Sequence, residues 1–87
     1  MAKVEIYTTK FCPFCSMALR LLDMKGAEVV EYDVSSDPDG RRRMMERANG
    51  GRTVPQIFIE DVHVGGCDEL MALDSGGKLD PMLKLAG

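Results

Sequence analysis

The distribution of apolar residues along the chain predicts four short β-strands. Val4 and Ile6 alternate with polar neighbours, and this period of two is typical of a half-buried strand over residues 3–8. The other predicted strands are residues 30–34, with Val30, Tyr32 and Val34 as the apolar positions, and residues 56–60 and 62–64. The last two runs are rich in β-branched residues and pivot on Asp61, so they predict a hairpin.

Apolar positions at helical spacing predict the first of four helices, and helix start and stop signals predict the other three. The first runs from Pro13 to about Lys25, where Gly26 supplies a helix stop. The others are predicted from Ser36-Asp37-Pro38 to Ala48, from Asp68 to about Asp74, and from Asp80 as a cap with Pro81 in the first turn. The first βαβ unit should cross over right-handedly and pair its strands in parallel, while the hairpin adds antiparallel strands.

The composition is that of one globular domain without a membrane segment. The chain has 87 residues, of which 45% are apolar and 29% charged, and no apolar run is long enough to cross a bilayer. The start lacks the basic stretch and apolar core of a signal peptide, so a cytoplasmic protein is expected. The net charge of −3 argues against nucleic acid as a partner. A small anion is favoured by five clustered basic residues, Arg41, Arg42, Arg43, Arg47 and Arg52.

Two cysteines, Cys12 and Cys15, stand where the first strand gives way to the first helix. A thiol at the start of a helix faces unpaired backbone N–H groups and the positive end of the helix dipole. This position lowers the pKa of Cys12 below the ~8.5 of a free thiol, and Lys10 lowers it further. Cys15 lies one turn later on the apolar side. Cys12 is therefore the predicted attacking sulfur, and Cys15 the resolving sulfur that closes an intramolecular disulfide.

A metal site is the main alternative interpretation of this cysteine pair. Structural zinc takes four ligands, and only His63 and Cys67 remain as further candidates, which is too few. A copper carrier would need a flexible loop, whereas Pro13 stiffens this one. Three cysteines are an odd number, which argues against a disulfide framework. Thiol exchange is therefore favoured, and no metal is expected.

Two further motifs lie downstream of the second predicted helix. Pro55 stands directly before the third strand, and a proline at strand entry needs no special explanation. Nothing in these residues alone indicates a cis bond. Gly65-Gly66-Cys67-Asp68 ends the hairpin and begins a helix, whose free N–H groups can hold a carboxylate. The alternative is that Asp68 merely caps that helix.

Together these motifs resemble the dithiol glutaredoxins of bacteria. The resemblance is carried in order by Lys10, Cys12-Pro13-Phe14-Cys15, Thr53-Val54-Pro55 and Gly65-Gly66-Cys67-Asp68, and it extends over nearly the whole chain. It implies an α/β protein with a thioredoxin-like fold, in which a four-stranded mixed β-sheet is flanked by α-helices in a single domain of residues 1–87. It also implies that the Val54–Pro55 peptide is cis and lies beside Cys12.

The resemblance further implies how glutathione, an extended tripeptide with two carboxylates and one ammonium group, is bound. The backbone of Val54 would pair with the glutathione cysteine like a short piece of sheet. The N–H groups of Cys67 and Asp68 would hold the γ-glutamyl carboxylate, and the Asp68 side chain would take the ammonium group. Lys10 and Arg42 would flank the glycine carboxylate. The full expected binding set is Lys10, Phe14, Arg42, Thr53, Val54, Pro55, Gly66, Cys67 and Asp68.

Other residues carry separate expectations. Phe14 stands where the family commonly has tyrosine, so only its ring is expected to contribute. The Cys67 thiol is expected to be non-catalytic because it lies outside the cysteine pair. Arg41 and Arg43 are expected to be solvated, and His63 to lie on a strand face. The methionines expected to fill gaps in the core are Met17, Met24, Met44, Met45, Met71 and Met82.

These features predict a monomeric glutathione-dependent thiol–disulfide oxidoreductase. Its expected substrates are protein disulfides and protein–glutathione mixed disulfides, with glutathione reductase as an indirect partner. Two alternatives remain open. A redoxin of the same fold would draw electrons from thioredoxin reductase instead. An iron–sulfur or metal carrier would bridge two protomers through Cys12 and glutathione, although Pro13 stiffens the loop that would have to open.

Overall fold

The computed structural model describes residues 2–84, and within them the elements follow the predicted order. The strands are β1 (Val4–Thr8), β2 (Val29–Asp33), β3 (Gln56–Ile59) and β4 (Val62–Gly65). The helices are α1 (Pro13–Met24), α2 (Pro38–Arg47), α3 (Cys67–Ser75) and α4 (Leu79–Leu83). None of the helices in this described part has the length and hydropathy that a membrane crossing requires.

The strands form one mixed sheet in the order β2-β1-β3-β4. Strand β1 pairs in parallel with β2 and antiparallel with β3, and β3 pairs antiparallel with β4. The hairpin turns at Glu60 and Asp61, whose φ angles of 50° and 65° lie in the left-handed region that a type I′ two-residue turn requires. The predicted mixed four-stranded sheet flanked by helices is confirmed.

Helices cover both faces of the sheet, so the core has two layers. One layer packs Ile6 and Ile57 of the sheet against Leu22 of α1 and Leu70 of α3. The other layer contains Tyr7 and Phe58 of the sheet together with side chains of α2 and the preceding loop, Val34, Met44 and Ala48. The central strands β1 and β3 are buried on both faces, which fixes the position of the segments that follow them.

Strand β2 is an edge strand and is more exposed than its alternating pattern suggests. Val30 and Tyr32 are exposed, whereas Val29, one residue outside the predicted strand, packs against the core. Val34 is buried but lies beyond the strand, where its N–H donates to the carbonyl of Thr8 at 2.8 Å. The alternation therefore identified the strand without identifying which of its faces is covered.

A buried ion pair ties α2 to the central strand. The guanidinium of Arg47 donates to both carboxylate oxygens of Glu5, at 3.0 and 3.1 Å, and to the hydroxyl of Tyr7 at 3.0 Å. Tyr32 donates a further hydrogen bond to Glu5 at 2.9 Å. The hydrogen bonds from Arg47, opposed by burial, hold the pKa of Glu5 below its ordinary value. Arg47 thus has a structural role and is unavailable to a small anion.

The sequence-based boundaries of the last helices need correction. Helix α3 begins at Cys67, with Gly66 as its cap, so Asp68 is inside the helix and does not cap it. Helix α4 begins at Leu79 after Lys78, so the prediction of Asp80 as its cap is wrong. The methionine prediction is confirmed for Met44, which is fully buried, and is wrong for three that are exposed, Met17, Met24 and Met71.

Candidate active site

Cys12 occupies the N-cap of α1. Its backbone is extended, with φ −109° and ψ 100°, and its Sγ accepts a hydrogen bond from the N–H of Cys15 at 3.2 Å. Pro13 follows as the first helical residue, where the missing N–H costs no hydrogen bond. The first turn contains no acidic residue. The sulfur therefore meets the positive end of the helix without a neighbouring carboxylate on that turn, as the sequence predicts.

Cys12 and Cys15 are joined as a disulfide, and their Cα atoms are 5.2 Å apart. Cys15 is buried on the inner side of α1, whereas Cys12 is half-buried and reachable from the surface. The attacking thiol of a thiol–disulfide exchange needs access to its partner, and the resolving thiol needs only the first cysteine. The division of roles requires this difference in exposure and itself stays a prediction.

The Val54–Pro55 peptide is cis, as the resemblance implied. It places the carbonyl oxygen of Val54 3.9 Å from the Sγ of Cys12. Pro55 itself is buried, while Thr53 is exposed beside it. The loop before β3 thus presents backbone to the space next to the sulfur, where an extended peptide can pair with it.

A cleft of about 180 Å³ lies on this side of Cys12. Its walls come from the start of α1, from the loop before β3, and from the junction of β4 with α3. Seven of the nine predicted glutathione-binding residues line it, namely Phe14, Thr53, Val54, Pro55, Gly66, Cys67 and Asp68, together with Glu69. Residues from three separate segments of the chain therefore meet in one cleft.

The start of α3 provides free hydrogen-bond donors to this cleft. The first intrahelical bond of α3 runs from the N–H of Leu70 to the carbonyl of Gly66 at 3.1 Å, so the N–H groups of Cys67 and Asp68 precede the helical ladder. Glu69 accepts from the Gly66 N–H at 2.7 Å and thereby fixes the chain entering the helix. Such a helix start can bind a carboxylate.

The third cysteine, Cys67, belongs to the buried core and not to the surface. The residue is buried, and its pKa is raised by that burial and by the neighbouring carboxylates of Asp68 and Glu69. A thiol with a raised pKa is a poor nucleophile at neutral pH. Cys67 lines the cleft, and the non-catalytic role of its thiol stays a prediction.

Two predicted binding residues lie outside the cleft walls. Lys10 is exposed on the loop after β1, where its backbone N–H donates to Ser35 at 2.7 Å and it borders a depression with Asp33 and Asp37. Arg42 is exposed on α2 and pairs with Asp39 at 2.6 Å. Their side chains would have to reach toward a ligand that extends beyond the cleft.

Sequence reasoning missed two residues that support the loop before β3. Arg41, predicted to be solvated, instead donates from its guanidinium to the carbonyl of Arg52 at 2.8 Å. Gln56 donates to the hydroxyl of Thr53 at 3.4 Å and also pairs with His63 at 2.7 Å. His63 lies on β4 as predicted and stacks on Phe58. The only signal for this support in the sequence was the presence of long polar side chains that could reach the loop.

Among residues 2–84, no group of three or more His, Cys, Asp or Glu side chains is arranged so that it could hold a metal ion.

Comparison with known proteins gives a consistent result. The family model described as glutaredoxin matches residues 4–64. A probable glutaredoxin of Synechocystis is 57% identical over 82 residues, covering 94% of this chain and 93% of that protein. Glutaredoxin 3 of Escherichia coli strain K12 is 50% identical over 84 residues, covering 97% of this chain and 100% of that protein. A solved buckwheat glutaredoxin–glutathione complex superimposes with a TM-score of 0.86 at 32% identity, covering 95% of this chain and 77% of that one.

Proposed function

Because the chain belongs to the glutaredoxin family of thiol–disulfide oxidoreductases, we propose that it works with glutathione and carries its chemistry on Cys12 and Cys15. Its substrates are protein–glutathione mixed disulfides and protein disulfides. The single observation that carries this proposal is the cleft beside Cys12, because it brings a backbone edge and a free helix start next to a sulfur at a helix N-cap. These are the three groups that an extended, anionic, thiol-containing peptide requires.

Removal of glutathione from a protein needs only Cys12. Its thiolate attacks the glutathione sulfur of the mixed disulfide, a new Cys12–glutathione disulfide forms, and the protein sulfur leaves as a thiolate that takes a proton from water. A second glutathione thiolate then attacks the bound glutathione sulfur. Oxidised glutathione leaves, and the Cys12 thiolate is restored.

Reduction of a protein disulfide uses both cysteines. Cys12 attacks one substrate sulfur, and Cys15 then attacks the Cys12 sulfur, which releases the reduced substrate and forms the Cys12–Cys15 disulfide. One glutathione thiolate reopens that disulfide at Cys12, and a second removes the first as oxidised glutathione. The 5.2 Å separation of the two Cα atoms is within the range that a disulfide tolerates without backbone movement.

Glutathione would lie along the cleft with its cysteine beside Val54. The carbonyl and N–H of Val54 would pair with the glutathione cysteine, and the N–H groups of Cys67 and Asp68 would hold the γ-glutamyl carboxylate. Asp68 would face the ammonium group. Lys10 and Arg42 would act at the glycine end, beyond the cleft walls described above. The glutathione in the similar buckwheat complex supports this choice of ligand.

The decisive experiment compares three variants, in each of which one cysteine is replaced by serine. Cys12→Ser should lose all turnover with both substrate classes, because no other sulfur stands at the N-cap of α1. Cys15→Ser should keep the removal of glutathione from a glutathionylated peptide and lose dithiol-dependent reduction. Cys67→Ser is the matched control and should resemble the parent chain. Retained turnover in Cys12→Ser would overturn the assignment.

Two alternative functions make different predictions. A thioredoxin-reductase-dependent redoxin would turn over with that reductase and not with glutathione plus glutathione reductase, so the two reducing systems are compared directly. A cluster carrier would show visible absorption after anaerobic reconstitution with iron and sulfide. The proposal expects neither a resident metal nor a cluster-bridged dimer, and places the protein as a monomer in the cytoplasm.

A further inference from the structure

A second cleft flanks the cysteine pair and shares no lining residue with the cleft described above. It has a volume of about 400 Å³ and lies between α1 and the strands β1 and β2. Both Cys12 and Cys15 line it, whereas neither of them lines the first cleft. The resolving cysteine therefore faces this second cleft.

Glu31 is the one charged residue among those that line the second cleft. The neighbouring β1 segment contributes Thr8 and Thr9, the following loop contributes Phe11, and α1 contributes the cysteines with uncharged residues. The carboxylates at the start of α3, Asp68 and Glu69, line the other cleft.

The Glu31 carboxylate has a hydrogen-bond partner at the wall of the cleft and no cationic partner among residues 2–84. It accepts a hydrogen bond from the hydroxyl of Thr8 at 2.7 Å, and Thr8 is itself buried. Within residues 2–84 no lysine, arginine or histidine nitrogen lies within 4.0 Å of Glu31. Glu31 as a residue is exposed, and this bond holds one of its carboxylate oxygens at the wall of the cleft.

A fixed negative charge disfavours a second negative charge across the same cleft. Cys15 must become a thiolate before it can attack Cys12, whereas Cys12 gains from the helix start that its sulfur faces. We propose that Glu31, held by Thr8, disfavours the Cys15 thiolate and so slows closure of the Cys12–Cys15 disulfide. Glu31 is then a positioning residue that acts through Cys15.

The step that Glu31 controls follows a glutathione adduct on Cys12, so this inference rests on the proposed function. The Cys15 proton leaves to water, the Cys15 thiolate attacks the Cys12 sulfur, and the Cys12–Cys15 bond forms. The Cys12–glutathione bond breaks in the same step, and glutathione leaves as a thiolate. A slower closure leaves the adduct available to a second glutathione, which favours the single-cysteine route over the two-cysteine route.

Closure can be timed without glutathione. Reduced protein is mixed with excess 5,5′-dithiobis(2-nitrobenzoate), which releases one coloured thiolate when Cys12 forms an adduct and a second when Cys15 closes the disulfide. The second release is recorded from about pH 5.5 to about pH 9, a range that includes the ~8.5 pKa of an ordinary thiol. At neutral pH, Glu31→Gln should close about three- to tenfold faster than the parent chain. The two rates should converge at the alkaline end, where Cys15 is a thiolate in both.

Glu28→Gln is the matched control, because Glu28 is exposed just before β2 and does not line the second cleft. Glu28→Gln should leave the pH–rate profile of closure unchanged. Glutathione removal assayed in Cys15→Ser reports the effect of Glu31→Gln on Cys12 alone, and that effect should be smaller than the effect on closure. An unchanged profile in Glu31→Gln, or an equal shift in Glu28→Gln, would overturn the inference. Failure of Cys12 to form an adduct with glutathione would overturn the proposed function instead.

Discussion

The guanidinium of Arg41 donates to the carbonyl oxygen of Arg52 at 2.8 Å and so joins α2 to the loop that leads into Thr53 and Val54. Arg41→Gln removes this support. We expect the KM for a glutathionylated peptide to rise about three- to tenfold, which corresponds to a hydrogen bond of about 1 kcal/mol. The rate at which Cys12 is alkylated should not change, because the helix start is untouched.

The neighbouring Arg43 provides the control for this experiment. It is exposed, and its nearest carboxylate, Asp37, is 3.9 Å away. Arg43→Gln should therefore leave KM within twofold of the parent value. An equal rise of KM in both variants would show that KM depends on overall charge and not on the hydrogen bond from Arg41 to the loop.

Phe14 forms a wall of the cleft beside Cys12, with 57% of its surface exposed. Phe14→Ala should raise the KM for a glutathionylated peptide several-fold, because a buried apolar contact with the ligand is lost. Phe14→Tyr keeps the ring and should leave the alkylation rate of Cys12 unchanged. Met17→Ala, on the exposed surface of the same helix, is the control. Parent-like kinetics in Phe14→Ala would place the ligand elsewhere.

The ion pair between Arg47 and Glu5 should control acid stability. Arg47 holds the pKa of Glu5 below its unfolded value, so the stabilisation is complete above about pH 4.5 and is lost as pH falls through the folded pKa. Arg47→Met leaves the buried Glu5 carboxylate without its hydrogen-bonded cation, and Lys3 remains at 4.0 Å. The free energy of unfolding at pH 7 should fall by about 2–4 kcal/mol, measured by urea denaturation.

A second variant distinguishes this charge effect from lost packing. Arg47 also lies over the Phe58 ring at 4.1 Å, so its removal costs contacts as well as charge. Adding Glu5→Gln to Arg47→Met should recover part of the loss, because an amide is less costly to bury than a carboxylate. In Arg47→Met alone, protonation of Glu5 should no longer lower the free energy of unfolding as the pH falls from 7 toward 4. No recovery in the double variant would assign the whole effect to packing.

Lys25 at the end of α1 contacts Asp74 of α3 and Asp80 of α4, both at 2.8 Å. Hydrogen bonds from these carboxylates raise the pKa of Lys25, so its contribution is present at neutral pH and is lost only as pH rises through that raised value. Lys25→Met should lower Tm slightly at low salt. The difference should shrink near 1 M salt, where charges are screened beyond ~3 Å. Lys78→Met should show no such salt dependence.

The sequence predicted the elements and the site better than it predicted exposure. Cys12 at the N-cap and Cys15 inside α1 follow from local physics, because a strand, a proline and an apolar period fix where the helix starts. The exposed faces of Val30 and Met24 do not follow, because periodicity reports a pattern and not which neighbouring element covers it. Edge position in the sheet is a property of the whole topology.

The long-range parts of the site were accessible only through the family resemblance. The meeting of Val54 with Cys12 joins residues far apart in the chain, and proline alone does not determine its peptide isomer. The support from Arg41 was missed because an arginine in a basic run is normally solvated. The hydrogen bond between Thr8 and Glu31 was also invisible, since it depends on the register of β1 against β2.

The proposed function depends on the Cys12 thiol having a lowered pKa, so that its sulfur is a thiolate at neutral pH. The pH dependence of alkylation of the reduced protein by iodoacetamide measures it directly, with Cys15→Ser and Cys67→Ser combined so that only one thiol reacts. We expect an inflection at or below about pH 7, because free helix N–H groups stabilise the thiolate. An inflection above about pH 8, where an ordinary cysteine titrates, would contradict it.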